Sequence, residues 1–420
     1  MNALVLALAY LRAKPLHTVL NLMLLALGTA TIVLLLLFGE QLESRLTRDA
    51  GDIDMVVGAK GSPMQLILSA LFHADVPTGN IPLSEAEALR ANPMVASAVP
   101  LALGDNFRGY RIVGTTPDYV ALYGGALAEG GLWAAPLEAT VGAVVAAELG
   151  LRLGDRLVGA HGLGEGGMAH GATPYQVVGV LGPTGTVLDR LILTSVASVW
   201  AVHGLAPAHD PNEEPDAHDQ PEAHDPPETN PAPATAPPGG LEITALLVKF
   251  STPVAATSLP RAINQQTRMQ AALPGYEIAR LLRLVGFGIE AFRAFALVLV
   301  VSAAVGIFAA LYSALSERRY DLAVMRALGA TRLRIVWQIL VEGLLLGGAG
   351  AAIGLVLGHG VAQLAGGWLW REHQIALSGW TWVAGEGWLL AMAVSVGMIA
   401  ALLPAWQAYR IDISQTLAQG

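Results

Sequence analysis

Four apolar stretches long enough to span a bilayer constrain this chain more than any other feature. They are Val19–Phe38 (VLNLMLLALGTATIVLLLLF), about Phe295–Leu315, Ile335–Leu357 and Trp388–Leu403. A bilayer core about 30 Å thick needs roughly 20 helical residues, and shorter runs are completed by interfacial anchors such as Trp380 and Trp382. The composition agrees: 54% of the residues are hydrophobic and only 14% charged, too few charges to cover the surface of a soluble domain. The first stretch is longer than a signal-peptide core of about 7–15 residues, and no small-residue cleavage motif precedes Glu40-Gln41-Leu42-Glu43. It reads as a retained anchor.

The basic residues orient these spans. Arg12 and Lys14 precede the first. Arg318, Arg319, Arg326, Arg332 and Arg334 crowd the short loop between the second and third, and Arg410 follows the fourth. The loop between the third and fourth holds one arginine, Arg371, beside Glu372. Positive residues collect on the cytoplasmic side, so both termini are predicted to be cytoplasmic and the long region between the first two spans to lie outside. The fold class is a membrane protein with four transmembrane α-helices, one plus three, and a large α+β extracytoplasmic domain between helices 1 and 2. The predicted division is a cytoplasmic amphipathic N-terminus over 1–15, spans over 16–38, 288–315, 335–358 and 383–404, the outer domain over 39–287, a cytoplasmic segment over 316–334, a short outer loop over 359–382 and a cytoplasmic C-terminus over 405–420.

Within the outer domain short helical and strand patterns alternate, as in an α+β fold. Asn2–Arg12 reads as an interfacial helix and Gly39–Ala50 as a helical stalk. Strands are predicted at Asp52–Val57, Val95–Leu103, Arg108–Gly114, Val141–Ala146, Gln176–Leu181, Leu191–Thr194 and Leu246–Phe250. Helices are predicted at Leu83–Asn92, opening on a Ser84/Glu87 capping box, and at Pro260–Met269; a further helix from about Tyr276 leads back to the membrane. Leu205–Gly240 breaks the pattern. It holds ten prolines, eight acidic residues and no lysine or arginine, and such a stretch cannot bury enough apolar surface to offset the entropy of ordering. It reads as a disordered insertion.

Several chemistries are excluded or weak. With no cysteine, disulfides and thiolate metal or redox sites cannot form. There is no nucleophile elbow, HExxH, Walker A loop or GxGxxG, and the Gly162–Gly171 run lacks the strand-to-helix setting that cradles phosphate. A net charge of −9 argues against nucleic acid as a partner. His209, His218 and His224 each sit in an Ala-His-Asp triplet of the insertion, with His203 just before it. Imidazole and carboxylate are zinc ligands, so these four are the candidate metal residues of a loose, zinc-collecting tether; the bland alternative is a solvated linker in which histidine has no role. His73 and His359 read as packing or interfacial residues.

Two membrane-associated features stand out. Gly343, Gly347, Gly350, Gly354 and Gly358 line the third span at spacings that let helices approach closely, either inside the chain or between two copies. Glu342 precedes them, with Arg332 or Arg334 as its expected partner. The loop before that span, Glu317-Arg318-Arg319-Tyr320-Asp321-Leu322-Ala323-Val324-Met325-Arg326-Ala327-Leu328-Gly329-Ala330-Thr331, is an amphipathic helix with an apolar ridge of Leu322, Met325 and Leu328 and a glycine stop at Gly329. Such a helix can lie on the membrane surface or insert into a groove on a cytoplasmic partner.

That segment resembles the coupling segment of the MacB/FtsX-like, or type VII, ABC transporter permeases, whose motif runs approximately E-R-x-x-E-I-x-x-x-R-A-x-G-A. The closing run Pro404-Ala405-Trp406-Gln407-Ala408-Tyr409-Arg410-Ile411-Asp412 is similar to the family's P-A-x-x-A-x-x-x-D-P, and Val145–Arg156 with Tyr175–Leu181 resembles its periplasmic core. Asp321 stands where Glu is usual and Ile413 where Pro is often found. The resemblance implies a non-catalytic subunit of the bacterial inner membrane that contacts lipid, pairs with a second permease copy and uses a separate cytoplasmic ABC ATPase, which holds the ATP and Mg. It makes Glu317, Arg318, Arg319, Tyr320, Asp321, Met325, Arg326, Ala327, Leu328, Gly329 and Ala330 the ATPase-coupling residues. It allows a periplasmic adaptor or substrate-binding protein, and a substrate that is a lipoprotein, a peptide or drug, or metal-related. The alternative it leaves open is a regulatory scaffold that passes ATPase cycles to a cell-envelope hydrolase without transport.

Overall fold

The computed structural model describes residues 3–162, 173–204, 240–373 and 377–410, with the side chains of 371–373 left aside. The insertion read as disordered, with His209, His218 and His224, lies outside the described residues, as does all of the glycine-rich run after Gly162. The chain opens with α1 (Ala3–Ala13), α2 (Pro15–Ala50), β1 (Met55–Ala59), α3 (Pro63–Ala70), β2 (Ile81–Pro82), α4 (Leu83–Arg90), β3 (Val95–Phe107), β4 (Tyr110–Thr115) and α5 (Asp118–Leu122). There follow β5 (Leu127–Gly130), β6 (Glu138–Val141), α6 (Ala143–Leu149), β7 (Arg156–Leu157), β8 (Ala160–His161), β9 (Tyr175–Leu181), β10 (Leu191–Ser195), α7 (Val196–Val202), β11 (Glu242–Ile243) and β12 (Ala245–Phe250). It closes with α8 (Ala255–Gln266), β13 (Met269–Ala272), α9 (Pro274–Glu317), α10 (Arg319–Ala327), α11 (Arg332–His373) and α12 (Gly385–Tyr409).

Two compact units result, one from 1–44 and 282–420 and the other from Arg45–Leu281. The first holds the apolar helices. Among the described residues, four helices are long and apolar enough to cross a membrane: Pro15–Ala50, Pro274–Glu317, Arg332–Trp370 and Gly385–Tyr409. Their shared interior is built from Leu25, Val300, Ile307, Leu311, Ile339, Leu346 and the alanines of α12. Large apolar side chains such as Phe292, Val298, Val301 and Val356 stay exposed, as lipid-facing positions do.

The second unit is an α+β domain. Its main sheet runs β13-β1-β12-β3-β4-β10-β6-β9-β5, with β7 on β9 and β8 on β3. The β4/β10 and β6/β9 pairs are parallel and the others antiparallel. Strand β3 is long enough to pair with β12 through its first half and with β4 and β8 through its second, and its register slips between Leu103 and Asp105. The extra residue in that bulge is Gly104, and a bulge re-aims the side chains after it. One core packs Leu66, Leu71, Tyr119, Leu193 and Leu247; a second packs Met55, Ile81, Leu246 and Ile263.

Three local expectations are corrected. Val141–Ala146 is not a strand: β6 ends at Val141, and Ala143–Leu149 is helical between Gly142 and a left-handed Gly150. A side chain at position 142 would run into the Leu188 and Asp189 carbonyls, so glycine turns the chain there. Helix α4 starts at Leu83 with no side-chain cap. The Leu83 amide is instead taken by the Leu241 carbonyl at 2.9 Å, which leaves Ser84 inside the first turn. Helix α8 begins at Ala255 and carries Pro260 within it. Burial of Leu259, Pro260 and Ile263 in the core outweighs the hydrogen bond that proline removes. Helix α3, capped by Ser62 on the Gln65 amide, is an element that the sequence reading does not include.

The domain also holds a pH-dependent element. His73 sits at φ 54° with its Nε2 3.0 Å from the Tyr119 hydroxyl. Burial first, then the Arg111 and Arg190 guanidiniums, lower its pKa to about 3. In the unfolded chain it takes up a proton near pH 6.5. The folded-state pKa is depressed, so this contribution to stability is full above about pH 6.5 and is lost as pH falls toward 3. The full-length protein in detergent is expected to lose roughly 1.4 kcal/mol per pH unit from this group below pH 6.5. His73→Asn, which tolerates the positive φ, should flatten that slope in pH-resolved thermal melts; an unchanged profile would refute the assignment.

Candidate functional site

The candidate site is built around α10. Glu317 ends α9, Arg318 occupies the N-cap position of α10, and the helix runs nine residues from Arg319. Leu322 and Ala323 are buried and Met325 packs on the same core. Tyr320 is 51% exposed and Leu328 82% exposed. One face therefore fixes the helix and the other meets solvent. Gly329 ends it at φ 99°. The Gly329 amide donates to the Arg326 carbonyl and the Ala330 amide to the Met325 carbonyl, each at 3.0 Å. This is a Schellman closure, in which only glycine takes the left-handed position without strain.

Arg318 is the pin of the site. Its Nη1 lies 3.5 Å from the Glu342 carboxylate on α11, and its guanidinium carbon stands 3.5 Å from the centroid of the Tyr10 ring on α1. Gln338 Nε2 adds a contact of 3.4 Å to the same Glu342 oxygen. The partner of Glu342 is thus Arg318 rather than Arg332 or Arg334. The reason is geometric: Arg318 reaches α11 from the end of the preceding helix, whereas Arg332 lies over the Tyr409 ring at 5.4 Å. Burial raises the Tyr10 phenol pKa, and the Arg318 charge opposes that rise. Lys14 pairs with Glu317 at 2.5 Å, an exposed contact of little energetic weight.

The glycines of α11 fall into two sets. A β-carbon on Gly343 would meet the Gly397 carbonyl oxygen at 2.5 Å and Ala401 at 2.7 Å, and one on Gly347 would meet the Ala393 carbonyl at 3.0 Å. Both face α12. Gly350, Gly354 and Gly358 face Leu25, Thr29 and Val33 of α2, at 2.7, 2.6 and 2.8 Å. All five are occupied in contacts within one chain. Near the other end of α11, His359 Nε2 pairs with the buried Glu386 at 3.0 Å while its Nδ1 faces the Gly379 carbonyl at 2.7 Å. Sequence reasoning missed this clasp; the only signal was a histidine and a glutamate near two span ends.

Of the four histidines read as metal candidates, His203 alone lies among the described residues. It follows α7 and stands beside Asp105 and His161, neither of which was singled out from sequence. No spacing motif could have flagged them, because the strand pairing of β3 with β8 brings Asp105 and His161 together.

Comparison with known proteins fits this layout. The model of the FtsX-like permease C-terminal domain matches residues 293–413, and that of the MacB-like periplasmic core domain matches residues 18–220. The macrolide export ATP-binding/permease protein MacB of Syntrophobacter fumaroxidans is 31% identical over 121 residues, 28% of this chain and 16% of that protein. The uncharacterized ABC transporter permease YknZ of Bacillus subtilis is 29% identical over 117 residues, 27% of each chain. The matches thus span about a sixth and a quarter of those relatives. The crystal structure of the periplasmic region of MacB from Actinobacillus actinomycetemcomitans aligns with 55% of this chain and 94% of its own, at 13% identity and a TM-score of 0.33. With both family models matched, one on the outer domain and one on the last three apolar helices, the chain belongs to the MacB/FtsX-like, type VII family of ABC transporter permeases.

Proposed function

We propose that this chain is the membrane subunit through which a separate cytoplasmic ATPase drives movement of the outer domain. The observation that carries the reading is the division of α10 into a fixed face and an exposed one. Leu322, Ala323 and Arg318 hold the helix to the membrane unit, while Tyr320 and Leu328 present apolar surface between two candidate spans. An exposed leucine at a rigid helix terminus suits insertion into a groove on a partner. In this reading both termini are cytoplasmic, and two permeases and two ATPases assemble. Closure of the ATPases on ATP shifts α10, and the continuous helices α2 and α9 transmit the shift. The substrate is engaged on the periplasmic side or in the outer leaflet, with a periplasmic adaptor or binding protein as a further partner, and is a lipoprotein, a peptide or drug, or metal-related.

The test is purification of the full chain from its native membrane in mild detergent, with mass spectrometry of the accompanying proteins. An ABC ATPase at near-equal amount is the expected result. Leu328→Asp is expected to abolish that recovery while shifting stability by no more than about 0.5 kcal/mol, because the side chain is solvent-exposed. Recovery of the ATPase at the unmutated level with Leu328→Asp and Tyr320→Ala combined would overturn the docking face.

A further inference from the structure

We propose that Asp105, His161 and His203 form a binding site for a divalent cation of the zinc class in the outer domain. The three residues come from three elements. Asp105 follows the β3 bulge, His161 is directly opposite it on β8, and His203 caps the C-terminus of α7. His161 Nδ1 lies 3.2 Å and His203 Nε2 3.6 Å from the same Asp105 oxygen. One ligand atom from each residue falls within 4.8 Å of the others. With zinc–ligand bonds of about 2.0–2.1 Å, ligand atoms of a tetrahedral site stand roughly 3.3 Å apart. The two measured separations bracket that edge.

The direction of the ligand atoms matters more than their proximity. His203 Nδ1 is 2.8 Å from the Val199 carbonyl. A carbonyl only accepts, so Nδ1 carries the hydrogen in that contact. In the neutral ring Nε2 then presents its lone pair toward a carboxylate oxygen, which also only accepts. Two acceptors facing each other are held by a cation between them, a proton or a metal ion. Anchoring one imidazole nitrogen on a carbonyl so that the other can ligate is the usual outer support of a metal-bound histidine.

The scaffold is rigid on its inner side and open on its outer side. The Asn106 side-chain amide donates to the Ala160 carbonyl at 3.2 Å and to the Gly162 carbonyl at 2.9 Å, clamping the backbone on both sides of His161. The Gly162 amide donates to the Gly104 carbonyl at 3.1 Å. The Asp105 side chain is only 2% exposed, whereas those of His161 and His203 are 44% and 25% exposed. A carboxylate sunk this far is held by positive charge or by hydrogen-bond donors. Two imidazoles and one carboxylate select a zinc-like ion over calcium or magnesium, which take oxygen ligands. Three protein ligands leave a coordination position for water or an incoming group. In sequence, the stretch carrying His209, His218 and His224 follows directly after His203.

The competing reading is a histidine–aspartate ion pair with no metal, and zinc binding separates the two. The full-length protein is purified in detergent, stripped with a chelator and equilibrated with micromolar zinc chloride; bound metal is then measured by mass spectrometry. Cobalt(II) substituted for zinc reports the ligand set through its visible absorption. A single tightly held zinc ion per chain is expected, with a cobalt spectrum of tetrahedral nitrogen and oxygen ligation. His161→Ala and His203→Ala should each weaken binding by about 100-fold or more, and His161 is exposed enough for its variant to keep the fold. The combined His209→Ala, His218→Ala and His224→Ala variant should retain the site. Absence of bound zinc, a cobalt spectrum unchanged by His161→Ala, or loss of the metal only in the triple variant would each overturn the proposal.

Discussion

Glu342→Ala is expected to destabilise the membrane unit by about 3 kcal/mol, the lower end of the roughly 3–5 kcal/mol seen when one partner of a buried ion pair is removed. The Glu342 side chain is 4% exposed and that of Arg318 17% exposed. Without the carboxylate, Arg318 keeps the face of Tyr10 but loses the anion that offsets its burial. The lower end applies because some water already reaches the guanidinium. The check is thermal unfolding of the detergent-solubilised full chain for Glu342→Ala, Arg318→Ala and the double variant. Residues sharing one contact couple by about 0.5–3 kcal/mol, so the double variant should fall well short of the sum. Additive effects would show that the two side chains do not act as a pair. Because Arg318 also opens α10, the single variants should loosen the helix that carries Tyr320 and Leu328.

The second large effect is steric. Gly343→Leu places a branched side chain where a bare β-carbon already meets the Gly397 carbonyl at 2.5 Å and Ala401 at 2.7 Å. Both α11 and α12 are backbone-to-backbone here, so no flexible side chain can yield, and the helices must separate. Lipid is as apolar as leucine, so close packing, together with interhelical polar contacts, holds such helices together. Overpacking of this kind costs about 1–3 kcal/mol and sometimes more, and Gly343→Leu belongs at or above the top of that range. Gly348 supplies the control: nothing lies within 4 Å of its would-be β-carbon. Gly348→Leu should be neutral or gain up to about 1 kcal/mol of helix propensity. Size-exclusion profiles and melting midpoints of the two variants decide it; equal behaviour would refute the close α11/α12 approach.

These cases mark how far the sequence carries. The four long helices, the α+β domain and the α10 helix with its Gly329 stop were legible because each follows from a local rule: bilayer thickness, alternation of apolar residues, or the backbone freedom of glycine. Val141–Ala146 was misread because a short apolar run has no period of its own. It becomes β6 and then α6 because Gly142 must pass against two carbonyls of a neighbouring segment. Glu342 was recognised as a residue needing a cation, yet Arg332 and Arg334 were nearer in sequence than Arg318. Nothing in one strand of text says which arginine a helix end will deliver.

The glycines and the histidines divide in the same way. Their spacing on α11 shows that something approaches closely, while the structure assigns Gly343 and Gly347 to α12 and the other three to α2. His203 was visible as a possible ligand, but Asp105 and His161 were not, since a bulge and a strand pairing bring them to it. The sequence by itself determined which segments need lipid, which need a core and where the helix after the second span stops, because those demands act on neighbouring residues. Only the tertiary structure decided which distant groups meet at Arg318, at Gly343 and at Asp105, because those contacts depend on how separately folded elements pack.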